Sequence, residues 1–270
     1  DAPGARERWE ALLDEAEVLF DFGPLELAPT LATRPRLRWI QATSAGVGQL
    51  AARIGLTSSD VAVTTASGVH ARPLAEFALL AMLMFAKDAL RLGREQQAHR
   101  WERFAGEEVA GKTVCVVGLG RIGREVARLA RALDARTIGT VRELGDRTAE
   151  DLQVERVVAT ADLDELLPET DVLVLAVPHT PLTQGLIDAR RLALLPPGAI
   201  VVNIARGDVV DEPALVDALR AGRLRGAALD VFAQEPLPAD SPLWDLPNVF
   251  VSPHSASTVA AENGRIVDLF

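Results

Sequence analysis

The chain has 270 residues, 49% of them hydrophobic and 24% charged, enough apolar material for one large core or two modest ones. Its formal net charge of −10 repels nucleic acid and anionic membrane surfaces at long range, so neither is expected as a partner. One cysteine excludes an internal disulfide, and no stretch combines a basic start, an apolar run and a small-residue cleavage site, so a cytoplasmic location is expected.

Taken in order, the apolar spacing predicts a helix over residues 9–16, a strand over 18–21, a strand over 37–42 feeding a small-residue loop at 43–48, and a strand over 61–65. This alternation suggests a small α/β unit of its own. Pro73 then opens one long helix, apolar almost all round in its first half and polar in its second, which suits a connector between two domains. The richest apolar stretch, residues 74–86, is interrupted by Glu76 and ended by Lys87, too short for a membrane span.

From Gly111 the rhythm is strand, turn, helix, repeated. Strands are expected over residues 113–117, 136–141, 156–158, 171–177, 199–204, 226–231 and 248–251. Helix starts are marked by Asp162 with Glu165 three residues on, and by Asp211 with Pro213. Continuous apolar runs such as VLVLAV and AIVVNIA fit strands covered on both faces, so the fold class is α/β, a doubly wound parallel sheet of Rossmann type.

The stretch that organises the chain is TVCVVGLGRIGREVARLARAL. Its order is strand, glycine turn, helix, with Ile122, Val126, Leu129 and Leu133 on one helical face. Gly118 allows the tight turn, Gly120 lets backbone approach a pyrophosphate, and Gly123 lets helix and strand pack closely. Leu119, Arg121 and Ile122 lie within the same turn, where helix N–H groups would point at phosphates. Cys115, inside the first strand of this motif, reads as a small buried hydrophobe.

Ligands bind outside the carboxyl ends of the strands in such sheets. Arg206 follows VVNIA, Glu235 follows the next strand, and His254 follows NVFVS, so the three can meet on one edge. Moving a hydride between a nicotinamide and a 2-oxo or 2-hydroxy acid needs a cation for the carboxylate and a proton donor for the carbonyl oxygen. Arg206 offers a planar fork for the carboxylate. His254 can donate or accept the proton, and Glu235 on its other ring nitrogen would fix the tautomer and stabilise the positive charge that forms.

These motifs resemble the D-isomer-specific 2-hydroxyacid dehydrogenase family, which includes glyoxylate/hydroxypyruvate reductases, phosphoglycerate dehydrogenase and formate dehydrogenase. The likeness runs through LRWIQATSAGVG, PLAEFALLAML, GKTVCVVGLGRIGREVA, DVLVLAVPHTPLTQGLI, LLPPGAIVVNIARGDVVDEPALVDAL, GAALDVFAQEPLP and SPHSAS. It implies that Arg206, Glu235 and His254 are the catalytic trio. Ala45, Gly46 and Val47 then present backbone N–H groups to the substrate acid, which Arg206 also holds. Asp230 faces the nicotinamide carboxamide, while Val177, Pro178, Thr183, Ile204, Ala205 and Ser257 line the cofactor together with Arg206 and His254.

The resemblance further implies a smaller, flavodoxin-like substrate domain at residues 1–94, rejoined by residues 259–270, and a dinucleotide-binding domain at 95–258. It implies a homodimer built on the long helix. The chain departs from the family at both ends, lacking the usual first strand and stopping at Phe270, so residues are expected to be missing there.

Coenzyme choice turns on the end of the second strand, where Val141 stands in place of the acid that binds the ribose of NAD and Arg142 follows. That leans toward NADP(H), with NAD(H) possible. Glu143 takes the acid's place if the strand ends later.

His70, His99 and His179 show no ligand spacing, so no metal site is expected, and His179, after the fourth strand, reads as surface polarity, with a place lining the cleft as the alternative. Trp39, Trp101 and Trp244 read as core or interface. Three functional readings follow: a reductase of small 2-oxo acids such as glyoxylate or hydroxypyruvate, a nicotinamide-sensing corepressor-like protein of the same fold, and a related enzyme acting on formate, phosphite or a bulkier 2-oxo acid.

Overall fold

The computed structural model describes residues 4–24 and 26–270, which divide into two compact units. One comprises the described residues of Asp1–His70 together with Ala260–Phe270; the other is Ala71–Val259.

The smaller unit contains helix α1 (Ala5–Glu15), strands β1 (Val18–Phe20) and β2 (Trp39–Gln41), the short helix α2 (Gly48–Arg53) and strand β3 (Ala62–Thr64). The strands pair in parallel in the order β1-β2-β3. Leu13, Leu31, Ile40 and Leu56 form its buried centre. Its last element, α8 (Glu262–Leu269), ends at Phe270, whose ring stacks on Trp39 and meets Phe20 edge-on. At the other end of α8, Glu262 Oε1 lies 2.9 Å from Nε2 of the buried His70.

The larger unit is built on a seven-stranded, all-parallel sheet. Its strands are β4 (Thr113–Val117), β5 (Arg136–Val141), β6 (Arg156–Ala159), β7 (Val172–Leu175), β8 (Ile200–Asn203), β9 (Gly226–Leu229) and β10 (Val249–Val251). Their spatial order is β10-β9-β8-β7-β4-β5-β6. The order reverses on the two sides of β4, which places the crevice expected of doubly wound sheets at the carboxyl end between β4 and β7. Every residue of β4, β7, β8 and β9 is buried, which is why these strands read as continuous apolar runs rather than alternating ones.

Two expectations about the connector are corrected. The chain divides after His70, not after residue 94, because α3 (Ala71–Ala86) packs into the large unit's core. Leu74, Ala78, Met82 and Phe85 share a buried cluster with Val116, Val126 and Ala130. Burying Leu74, Met82 and Phe85 contributes on the order of 2 kcal/mol each, so this helix has a strong reason to stay with the sheet.

Nor is the connector one helix. It breaks at Asp88, which takes the left-handed conformation (φ 54°), and a second helix, α4 (Ala89–Gln97), follows with no buried residue. Asp is among the few non-glycine types that adopt this conformation readily.

Beyond β4 runs α5 (Arg121–Arg131), which buries Gly123, Val126, Ala127, Leu129 and Ala130. The segment at Asp162 forms 3-10 turns over Thr160–Glu165 instead of a capped α-helix, with Asp162 itself non-helical. Asp211 does cap α7 (Glu212–Arg220), its side chain accepting from Ala214 N at 3.1 Å. Asp188 caps α6 (Ala189–Leu194) in the same way. No helix among the described residues is long and apolar enough to cross a membrane.

Candidate active site

The glycine turn after β4 is shaped by close contacts. Gly118 has φ 100°, and a Cβ there would lie 2.9 Å from Ala176 O. A Cβ on Gly123 would lie 2.1 Å from Gly118 O, so only glycine lets α5 start this near the strand. Gly120 differs: its missing Cβ faces nothing within 4 Å. The fold's own packing does not require glycine there, and the space is open to a ligand.

Helix α5 begins at Gly120 with no side-chain cap and no acidic residue in its first turn, so its leading N–H groups and positive dipole end suit an anion. Leu119 is buried, Ile122 half-buried and Arg121 exposed. The turn, the open face of Gly120 and the basic first turn fit the pyrophosphate of a nicotinamide dinucleotide.

At the end of β5, Val141 is buried and Arg142 is exposed, its Nε 3.8 Å from Glu143 Oε1. Thus β5 ends at Val141, and Glu143 lies beyond the strand. After β7, Val177 is buried and Pro178 exposed. Thr183 Oγ1 donates to Pro178 O at 2.7 Å and accepts from Thr180 N at 2.8 Å, so its hydroxyl braces this loop. His179 is not on the surface: its Nε2 lies 3.8 Å from Asp208 Oδ2, and the imidazole is largely covered.

Arg206 sits just past β8, after the buried Ile204 and Ala205. Asn203 holds this turn, its Oδ1 accepting from Ala205 N and its Nδ2 donating to Arg206 O, both at 3.0 Å. Arg206 Nη1 donates to Ala205 O at 2.6 Å. The next residue, Gly207, lies directly against the loop after β9: a Cβ there would come within 1.8 Å of the Phe232 carbonyl carbon.

Glu235 lies on that loop, with Oε1 accepting from Phe232 N at 3.0 Å. Its Oε2 is 2.7 Å from Nδ1 of His254. A carboxylate can only accept, so Nδ1 carries the proton and Nε2 is the nitrogen left for chemistry. His254 has φ 53°, and both side chains are partly exposed. Since β8, β9 and β10 are neighbours, with adjacent strands ~4.8 Å apart, the sheet brings all three candidate residues to one edge.

Asp230 follows β9 and is buried. Its Oδ1 accepts from Ser252 Oγ at 2.5 Å, Ser255 N at 2.9 Å and Ala256 N at 3.0 Å, bracketing His254. Ser257 is half-buried in the following turn.

In the smaller unit, Ala45 and Gly46 are exposed and Val47 is buried. Ser44 O accepts from Ala66 N at 3.3 Å, which ties this loop to the end of β3. No group of three or more His, Cys, Asp or Glu that could hold a metal ion occurs among the described residues.

Sequence reasoning passed over Asn203, Glu212 and Ser252. A polar residue ending an otherwise apolar strand, as in VVN, was the available signal for Asn203. Those for Glu212 and Ser252 exist only in three dimensions.

The profile described as "D-isomer specific 2-hydroxyacid dehydrogenase, NAD binding domain" matches residues 79–256. The chain is 40% identical over 253 residues to a D-3-phosphoglycerate dehydrogenase of Mycobacterium leprae, covering 90% of this chain and 45% of that protein. It is 37% identical over 240 residues to a glyoxylate reductase of Thermococcus gammatolerans, covering 85% and 70%. The chain spans about half the length of the D-3-phosphoglycerate dehydrogenases it matches.

A crystal structure of a D-isomer specific 2-hydroxyacid dehydrogenase from Xanthobacter autotrophicus Py2, in complex with NADPH and MES, has a TM-score of 0.82 at 34% identity, covering 95% of this chain and 80% of that one. The chain belongs to the D-isomer specific 2-hydroxyacid dehydrogenase family, and residues 79–256 carry its NAD-binding domain.

Proposed function

We propose that this protein reduces a small 2-oxo acid of the glyoxylate or hydroxypyruvate type to the D-2-hydroxy acid, working in the cytoplasm with NADPH preferred over NADH. The observation that carries this reading is the 2.7 Å contact between Glu235 Oε2 and His254 Nδ1, on the sheet edge that also bears Arg206.

A bound reduced nicotinamide supplies the hydrogen and two electrons that add to the 2-carbon. The guanidinium of Arg206 grips the substrate carboxylate. The imidazolium of His254 gives its Nε2 proton to the carbonyl oxygen as it gains charge, and Glu235, accepting from Nδ1, holds the ring's orientation and tautomer. In the reverse direction His254 Nε2 takes the proton from the hydroxyl.

Gly118, Leu119, Gly120, Arg121, Ile122 and Gly123 hold the pyrophosphate, and Val177, Pro178, Thr183, Ile204, Ala205, Asp230 and Ser257 line the rest of the cofactor site. The coenzyme preference is supported by Arg142, exposed just past β5 where no carboxylate ends the strand to repel a 2′-phosphate. The NADPH-bound family structure points the same way, and the name of the glyoxylate reductase relative supports the substrate class.

A homodimer is part of the proposal, because Leu80, Leu83, Leu92 and Trp101, the last 96% exposed, leave apolar side chains on and just after α3 and α4.

The test is a panel of 2-oxo acids, including glyoxylate, hydroxypyruvate and 3-phosphohydroxypyruvate, with each coenzyme, read by nicotinamide absorbance. His254→Ala is expected to lower kcat by about 10²–10⁴-fold. Arg206→Ala is expected to raise KM by roughly 10–100-fold, the worth of a charged hydrogen bond. Equal rates with both coenzymes overturn the role given to Arg142, preferential turnover of the phosphorylated acid overturns the substrate class, and no turnover overturns the reaction.

A further inference from the structure

The loop between β9 and Glu235 is gripped from two sides. On one side Gly207, the residue after Arg206, presses on the backbone of Phe232 and Ala233. On the other, Oε2 of Glu212 accepts a hydrogen bond from Ala233 N at 3.1 Å. Glu212 is the first residue of α7, held there by the Asp211 cap, so its carboxylate reaches the loop from a rigid element. Two residues further on, Glu235 closes back on Phe232 N and reaches His254.

We propose that Glu212 is a positioning residue for the Glu235–His254 pair. By anchoring Ala233 it fixes the short loop Phe232–Glu235 against the Arg206–Gly207 turn, and so sets where Glu235 presents Oε2 to the imidazole. The Arg206–Gly207 turn and Glu235 are thereby registered to one another through backbone, and His254 to Glu235 through the side-chain contact, although the three come from separate strand ends. The role in catalysis rests on the reading of those three residues given above; the anchoring itself does not.

A competing role is available to Glu212. An acid in the first turn of a helix is favoured by the macrodipole whatever it touches. Two conservative variants separate the roles. Glu212→Gln keeps length and an accepting oxygen but removes the charge. Glu212→Asp keeps the charge at the helix start but is one methylene shorter and does not reach Ala233 N.

The first readout needs no turnover. In the full chain with 15N-labelled histidine, the proton on His254 Nδ1, hydrogen-bonded to Glu235, gives a low-field resonance identified by its loss in His254→Gln. The resonance is expected to persist in Glu212→Gln and to broaden away in Glu212→Asp. In the enzyme assay, Glu212→Asp is expected to lower kcat about tenfold with KM for the 2-oxo acid within about twofold, the size expected from a small misplacement of a proton donor, while Glu212→Gln stays near wild type.

Any other pattern overturns the proposal: loss in both variants makes the charge the active feature, and persistence in both makes Ala233 self-supporting. If wild type turns over no 2-oxo acid, the proposed reaction fails while the resonance still decides the anchoring.

Discussion

Ser252 Oγ donates to Asp230 Oδ1 at 2.5 Å, joining the end of β10 to the end of β9 immediately before the residue pair Pro253–His254. With Ser255 N and Ala256 N on the same oxygen, one buried carboxylate oxygen holds the chain on both sides of a histidine in left-handed conformation. Asp230→Ala leaves a hydroxyl and two N–H groups without their acceptor. It is expected to cost about 2–4 kcal/mol in denaturant unfolding and to lower kcat, whereas Ser252→Ala costs about 1 kcal/mol. Equal costs for the two would mean that the backbone donors find other partners.

The glycines of the turn after β4 make opposite predictions. Gly123→Ala meets backbone oxygen and is expected to destabilise by about 3 kcal/mol, seen as a lower unfolding midpoint. Gly120→Ala meets nothing, so stability should stay within about 0.5 kcal/mol while nicotinamide dinucleotide affinity, read by fluorescence titration, falls at least about tenfold. Unchanged affinity would put the pyrophosphate elsewhere.

Arg136 and Arg156 hold the carboxyl of Glu169 below its ordinary range, chiefly through the Arg136 hydrogen bond at 2.5 Å. A lowered folded-state value means the pair stabilises above the unfolded carboxyl's pKa of about 4.3 and loses that contribution as pH falls through the folded value. Partial exposure limits it to about 0.5–1 kcal/mol. Glu169→Gln should therefore lower Tm by about 2 °C at pH 7, with the difference closing in acid below that carboxyl range. A gap that persists at low pH would show that packing, not charge, is responsible.

Burial pushes the thiol of Cys115 up to about 12. In the native protein at pH 8 its modification by a thiol reagent should be roughly a thousandfold slower than that of a free cysteine, with one equivalent appearing on denaturation. Fast native labelling would mean that β4 opens.

Much of this architecture was legible in the sequence because the physics was local. Strands such as β4 and β5 show as apolar runs ended by glycine or charge, and Arg206 and His254 stand just after such runs, with Glu235 on the loop beyond another. The break at Asp88 was not legible, since helix-forming residues continue on both sides and only one backbone conformation marks it. The division after His70 depends on which surface the first half of the apolar stretch covers, and α3 carries no mark of that choice. Asp162 has the look of a cap, yet the chain there tightens into 3-10 turns. Glu212, Asn203 and Ser252 take their roles from partners brought near by the sheet, not from their sequence neighbours.

The stacking of Phe270 on Trp39, with Glu262 on His70, also dictates an order of assembly. The Ala71–Val259 unit is contiguous and can organise as it leaves the ribosome. The segment that precedes it holds its own strands and buried cluster between Leu13 and Val61, but Trp39 and His70 lack these partners until the chain has been made as far as Phe270, so a synthesis that stalls after Val259 releases a finished larger sheet with the smaller unit short of its last helix.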